Sequence, residues 1–395
     1  MTAATQSRLQ PNRRQILAAG GALACAAGFG PRAVAAPRPS HILAPAAYGD
    51  ETFLAALGKL AGASFDHQML DGDDAAVDAL RPLGPTASAS QIRARPGLVV
   101  TAHPWARGIL WPEGVIDALA KQVSPTTIEL APGLVPSLSD LETGLEGRYF
   151  LGRAMAFDMA AMVVDRRRVS VDAVGDFGLG ILDDPALRGR YAVVDDRRSL
   201  LAMAMLYAGL DPFRLQRPSE LRRFEPALRQ LVARAAVVVP TAAEAIAAIA
   251  DGRADLALPA GLGAMAPARL SGQGHLALAL PGVGPLGGRA AFYWVEMMTV
   301  VTQAPAEMKA AMAAAEDSDA VLALARAGGG LRPVAGLALP AIAEKLAPEE
   351  RSALDLDLLP GFLARCAPMG LVAERRRLAP LLAEVLAGPA ADPAQ

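Results

Sequence analysis

Tyr191-Ala-Val-Val-Asp-Asp-Arg-Arg-Ser-Leu-Leu-Ala-Met-Ala-Met-Leu-Tyr-Ala-Gly-Leu-Asp-Pro212 changes its period halfway along. Tyr191–Val194 is aromatic and β-branched and reads as a strand. Asp195 and Asp196 follow, Asp196 being most simply a helix N-cap, Ser199–Ala208 has helical spacing, and Gly209 supplies a helix stop. A strand that runs through a charged junction into a helix is the repeating unit of an α/β protein.

The same unit recurs on both sides. Upstream, His41–Ala44 is a short apolar run, and Glu51–Gly62 has helical spacing at Phe53, Leu54, Leu57 and Leu60. A strand-like 64–70, a helix around Asp74–Leu80, a strand within 96–102 and a helix over Val115–Lys121 are predicted next. Downstream come strand Ala235–Val239, helix Ala242–Ala250, strand Asp255–Leu258 and the apolar run 276–281. Helices Pro305–Ala315 and Asp319–Ala327 and a helical tail ending in frayed residues 388–395 complete the pattern. The fold class predicted is α/β with two halves, largely parallel sheets and a ligand crevice between them.

Between the second half and the last helices lies Ala291-Phe-Tyr-Trp-Val-Glu-Met-Met298. As a strand it would put Phe292, Trp294, Glu296 and Met298 on one face and Tyr293, Val295 and Met297 on the other. A ring beside a carboxylate suits a cation. A core aromatic next to a solvated edge charge is the plainer reading.

With 395 residues and 53% hydrophobic content the chain can build two ordinary domains. The formal charge of −2 gives no footprint for nucleic acid. Residues 1–35 read as an export signal: Arg13-Arg14 precede a Gly/Ala-rich apolar core, no acid occurs before Asp50, and Ala33-Val-Ala35 suits cleavage. Arg13-Arg14-Gln15-Ile16-Leu17 resembles a twin-arginine signal, with ordinary secretion as the alternative and a lipid anchor at Cys25 as a minor option. Cleavage would leave Cys366 as the one cysteine, hence no internal disulfide. No later stretch reaches spanning length without a charge or Pro, so the body is expected not to be an integral membrane protein.

Several catalytic patterns lack their context. Gly282-Val-Gly-Pro-Leu-Gly287 matches a dinucleotide fingerprint but leads into a strand, so a hairpin-like loop is the better reading. Asp71-Gly-Asp-Asp74 lacks the length and terminal Glu of a calcium loop. His41, His67, His103 and His275 are scattered, with His103-Pro104-Trp105 read as a loop and His103 as plain loop polarity, and no nucleophile elbow occurs. Neither an enzyme, nor a cofactor, nor a metal is expected. Arg166–Arg168 reads as a solvated cluster, with a partner-docking patch as the alternative.

Taken in order, three segments resemble the spermidine/putrescine-type solute-binding proteins of ABC importers. Leu187–Pro212 is similar to that family's "KGKIA-x-x-DDPRE" strand end and the helix ending "LGYDPN". Thr241–Ala257 matches its helix, turn and strand, and Tyr293-Trp-Val-Glu296 its "LWVDxLAIP". The resemblance extends over most of residues 41–340. It implies a type II periplasmic-binding fold: lobe 1 from 36–148 with 298–335, lobe 2 from 149–297 with 336–395. It also implies a monomeric, periplasmic protein that delivers a small amine-like solute to an ABC permease. The positions that correspond to ligand contacts are Trp294, Glu296, Asp196, Phe157, Tyr48 and Trp105, with Asp158 as a replacement carboxylate. Ser199 stands where relatives carry a ligand-binding Glu, Pro259–Gly261 where they often carry a Trp, and Gly330 where they carry a Tyr. A long doubly charged polyamine is therefore in question. The other readings are a sensor or accessory protein on the same fold and, more distantly, an exported enzyme; turnover of a bound solute would mark the latter.

Overall fold

The computed structural model describes residues 40–70, 77, 79–80, 86–117, 119–120 and 149–387. The expected export signal, Asp71–Asp74, most of the helix read around Asp74–Leu80, and the tail 388–395 lie outside them.

Twelve described strands are β1 (Ser40–Ala44), β2 (Phe65–Met69), β3 (Leu98–Ala102), β4 (Leu119–Ala120), β5 (Tyr149–Phe150), β6 (Arg153–Asp165), β7 (Tyr191–Val194), β8 (Val237–Val239), β9 (Leu256–Ala260), β10 (Leu276–Ala279), β11 (Phe292–Val300) and β12 (Ala367–Pro368). The main sheet runs β2-β1-β3-β11-β6-β9-β7-β8, with β10 on β6 and β12 on β11. Its two wings, β2-β1-β3 and β9-β7-β8, are internally parallel, as strand–helix alternation requires. The seam that joins them is antiparallel: β11 pairs β3 on one side and β6 on the other, and β6 pairs β9.

The seam strands explain themselves. β6 is thirteen residues long, and all of them except Asp158 are buried, so it shows no alternation to read. β11 alternates as expected. Tyr293, Val295 and Met297 pack in one core cluster, while Phe292 and Trp294 pack in another. A register shift after Glu296 marks a bulge against β6. Gly152 lies where β6 enters the seam, and a Cβ there would meet the carbonyl oxygen of Met298 and the side chain of Thr299. Gly152→Ala is expected to cost about 1–3 kcal/mol, read as a lowered denaturation midpoint with unchanged slope.

The inner strands β3, β7 and β9 of the wings are buried on both faces. Tyr191 and Val193 point into one cluster, and Ala192 and Val194 into the other. In the first wing Ile42, Val100, Phe53 and Met308 form a separate cluster with Met298 and Val300 of β11. Helix α1 (Glu51–Ala61) is capped by Asp50, which accepts the Thr52 and Phe53 amides at 2.9 and 3.2 Å, and ends on Gly62 at φ 67°.

Two expectations are corrected. Val115–Lys121 is not a helix within the described residues. Ile116 bridges Val301, the Asp117 amide goes to the Val300 carbonyl at 2.9 Å, and β4 pairs β5. Val115 and Ile116 are β-branched and buried, and cross-strand bonding to the end of β11 wins over local helix formation. His103-Pro104-Trp105 is not a loop but a helical turn, α2 (His103–Trp105), that continues into a π-turn over Ala106–Leu110. Pro sits in its first turn, where no intrahelical donor is needed. The Gly282–Gly287 segment is a loop before β11, as read. Among the described residues no helix is long and apolar enough to cross a membrane.

Candidate functional site

A cavity of about 550 Å³ opens where the wings meet the seam. Pro45, Thr101, Ala102 and Trp105 line it from the first wing, and Asp196, Arg197, Arg198 and Leu201 from the second. Glu296 comes from β11, and Met369–Val372 with Arg375 from the C-terminal segment. A cavity of about 540 Å³ elsewhere is walled mainly by alanine and aliphatic side chains of helices near β6, with Glu316 and Asp317 its acids among the described residues. Convergent polar groups favour the first.

The second-wing contribution follows from local folding. Strand β7 ends at Val194, the chain turns at Asp195–Asp196, and α3 (Arg197–Tyr207) begins. Strand direction thus delivers the start of α3 to the cavity. The Asp196 carboxylate does not cap the helix backbone, contrary to its plainer reading; it accepts the Ser199 hydroxyl at 2.5 Å. Arg197 and Arg198 occupy the first turn.

Glu296 is held by two donors at once. Its Oε2 accepts the Tyr48 hydroxyl at 2.7 Å and Arg332 Nη2 at 2.8 Å. Arg332 also lies 5.2 Å from the centre of the Tyr48 ring. Burial raises the Tyr48 phenol well above its ordinary range, and the Glu296 charge adds to that. For Arg332, burial is the largest single influence and pulls its pKa down, but Glu296, Tyr48 and Asp158 together outweigh it, and the guanidinium is held charged.

Two more guanidinium–ring pairs flank the site. Arg375, the first residue of helix α5 (Arg375–Ala387), lies 5.1 Å from the Trp105 ring centre. Arg198 lies 5.9 Å from that of Trp294. Both tryptophans near the site thus already carry a cation of the chain.

Asp158 lies under the start of helix α4 (Leu262–Leu270). Its Oδ1 accepts the Met159 and Leu262 amides at 2.8 Å each, and its Oδ2 accepts the Gly263 amide at 3.0 Å. Gly261 makes this possible, because a Cβ there would overlap the carboxylate. Burial pushes the Asp158 carboxyl up to about 6, against the pull of its three amide donors.

Of the eight residues singled out in the sequence, the structure brings Trp105, Asp196 and Glu296 to the cavity wall. Trp294 is half-buried beneath Arg198. Tyr48 sits behind Glu296, Ser199 behind Asp196, and Phe157 is in the core. Asp158 serves as a helix cap from a distant strand. Sequence reasoning missed Arg197, Arg198, Arg332 and Arg375, and the segment Met369–Val372. The doubled arginine after Asp195-Asp196 was the available signal. His103 was read as loop polarity; it is buried, accepts the Val295 amide at 3.2 Å and bonds the Met369 backbone. Burial lowers it to about 4, so the ring is neutral.

Cys366 is buried and its thiol is pushed up to about 12 by burial, so it is not a reactive nucleophile. Arg167 and Arg168 are exposed and pair with Asp165 and Asp255. Among the described residues no cluster of His, Cys, Asp and Glu could hold a metal ion.

No family model and no curated protein matches the chain. Solved structures do. A spermidine/putrescine ABC transporter substrate-binding protein, PotD from Streptococcus pneumoniae, superposes with a TM-score of 0.60 at 12% identity, over 88% of this chain and 97% of that one. The MotA binding protein of A. tumefaciens, in complex with glucopine, gives 0.56 at 13%, over 88% and 99%. Iron-bound HitA from Pseudomonas aeruginosa gives 0.53 at 17%, over 83% and 99%. The chain therefore has the two-lobed α/β fold of these binding proteins, as the sequence implied.

Proposed function

We propose that the chain is the exported solute-binding component of an ABC importer, which captures a small solute between two lobes and presents it to a permease. The observation that carries this reading is the cavity at the seam, walled by both wings. Its volume is in the range of small-molecule sites. The similar structures named above include binding proteins for a polyamine, an opine and iron, so the fold supports capture without naming the solute. In this reading the lobes are 36–148 with 298–335 and 149–297 with 336–395, the division that the sequence resemblance implies. Mechanistically, solute bound in the open form adds contacts to the second lobe only on closure, and the closed form is what the permease reads. Capture without turnover distinguishes this reading from an exported enzyme.

The test is to incubate the purified full chain with a mixed solute extract, wash it, denature it and identify what is released by mass spectrometry. One solute per chain, released unaltered, is expected. The same solute at about 100 times its dissociation constant would add roughly 2.7 kcal/mol to stability, seen as a higher melting temperature. Release of nothing would remove the reading.

A further inference from the structure

We infer that the solute taken by the seam cavity is an organic anion, a carboxylate carried on an apolar body, rather than an amine. The inference rests on the solute-capture reading and narrows it.

The charges on the described wall point this way. Arg197, Arg198 and Arg375 face Asp196 and Glu296. Both carboxylates are already engaged, Glu296 by Tyr48 and Arg332, and Asp196 by Ser199. A third acid that the sequence offers, Asp158, is enclosed beneath α4 and saturated with amide donors. An ammonium entering the cavity would need a carboxylate partner on leaving water. It would have to share one with Arg332 or Ser199. It would also meet Arg375 and Arg198 already over the two tryptophans.

An anion meets the opposite situation. The Nε of Arg375 is enclosed and has no hydrogen-bond partner among the described residues. A guanidinium placed beside a ring can still offer N–H groups to a carboxylate, in the fork geometry that arginine provides. The start of α3, an eleven-residue helix with no side-chain cap, adds the positive end of its dipole to the same wall. Most of the remaining described wall is apolar, with Leu70, Leu201, Met369, Leu371 and Val372. That surface has nothing to offer inorganic phosphate but suits a hydrocarbon or aryl body.

The experiment is calorimetric titration of the full chain with hexanoate, adipate and phenylacetate, with inorganic phosphate, and with putrescine and spermidine. Saturable binding of an organic carboxylate and none of the amines is expected. Arg375→Gln should weaken that binding about 10- to 100-fold, the loss expected for one charge-assisted hydrogen bond, and Arg375→Lys should restore part of it. Should Arg375→Gln fail to fold, Arg197→Gln carries the same test on the opposite wall. Binding of putrescine or spermidine with no response to carboxylates would overturn the inference while leaving solute capture standing. Carboxylate affinity indifferent to both arginine substitutions would overturn it too, and phosphate binding as tightly as the organic acids would remove the apolar body. Should the extract experiment release nothing, solute capture itself falls.

Discussion

Replacing Arg332 with methionine is expected to destabilise the chain by about 3–5 kcal/mol, the loss found when one partner of a buried ion pair is removed. Arg332 and Glu296 have only 20% and 14% of their side-chain surface exposed and lie 2.8 Å apart. The guanidinium also covers the Tyr48 ring, and its charge acts on Asp158. Without it, Glu296 becomes a half-enclosed anion with a single neutral donor. Glu296→Gln added to Arg332→Met should recover most of the loss, because the neutral amide still accepts the Tyr48 hydroxyl and no bare charge remains. Guanidinium denaturation of both variants decides the matter. A single-variant loss below about 1 kcal/mol, typical of an exposed pair, would show that the pair is solvated and the cavity more open than the structure has it.

Asp158→Ala is expected to cost about 3 kcal/mol, since it leaves the Met159, Leu262 and Gly263 amides without their acceptor in an enclosed place. Asp158→Asn keeps an acceptor for the two amides that share Oδ1 and should cost less. The two variants also separate the pH dependence. In the folded chain Asp158 titrates at about 6, above its ordinary value of 3.8. A raised carboxyl pKa means that the folded chain holds the proton more tightly. The stability it contributes is fully present below about 3.8 and is lost as pH rises through about 6. Asp165 works in the opposite sense: hydrogen bonds from Arg167 hold it at about 2, so its contribution is present above 3.8 and fails as pH falls through about 2. The quantity to measure is therefore the difference in stability between the parent chain and Asp158→Asn from pH 4 to 7. A difference that does not change with pH would mean that the carboxyl titrates normally and is not enclosed.

Much of the architecture was legible because it is local. The strand Tyr191–Val194, the helix that follows and the Gly209 stop all lie within one short stretch, where period and punctuation agree. Helix Ala242–Ala250 was read to the residue for the same reason. Strand β6 was not read, because Ala and Met buried on both faces leave no alternation. Val115–Lys121 failed because its helical spacing is overruled by hydrogen bonds to Val300 and Val301, far along the chain. The site was less legible for the same reason. Trp105, Asp196 and Glu296 were found, but what neutralises or covers them comes from elsewhere: Arg332 for Glu296, Arg375 for Trp105, and Tyr48 from 248 residues away. A carboxylate in a sequence looks available until its partner is known.

The strand order of the sheet also sets a timetable. The seam strand β6 and the far wing, with β10, are made from one continuous run of chain and can pair with one another as soon as residue 279 exists. The near wing is made earlier, yet its strand β3 has no neighbour on the seam side until β11 arrives nearly two hundred residues later. β11 must then slot between two edges already formed, β3 and β6, and β12 can pair with it only after a further stretch of chain. Insertion of a central strand last is a contact of long sequence separation, which slows folding and leaves open edges exposed meanwhile. A chain stopped short of Phe292 would carry two finished flanks and no keystone, so newly made molecules are at their most adhesive in the interval before the final quarter of the sequence emerges.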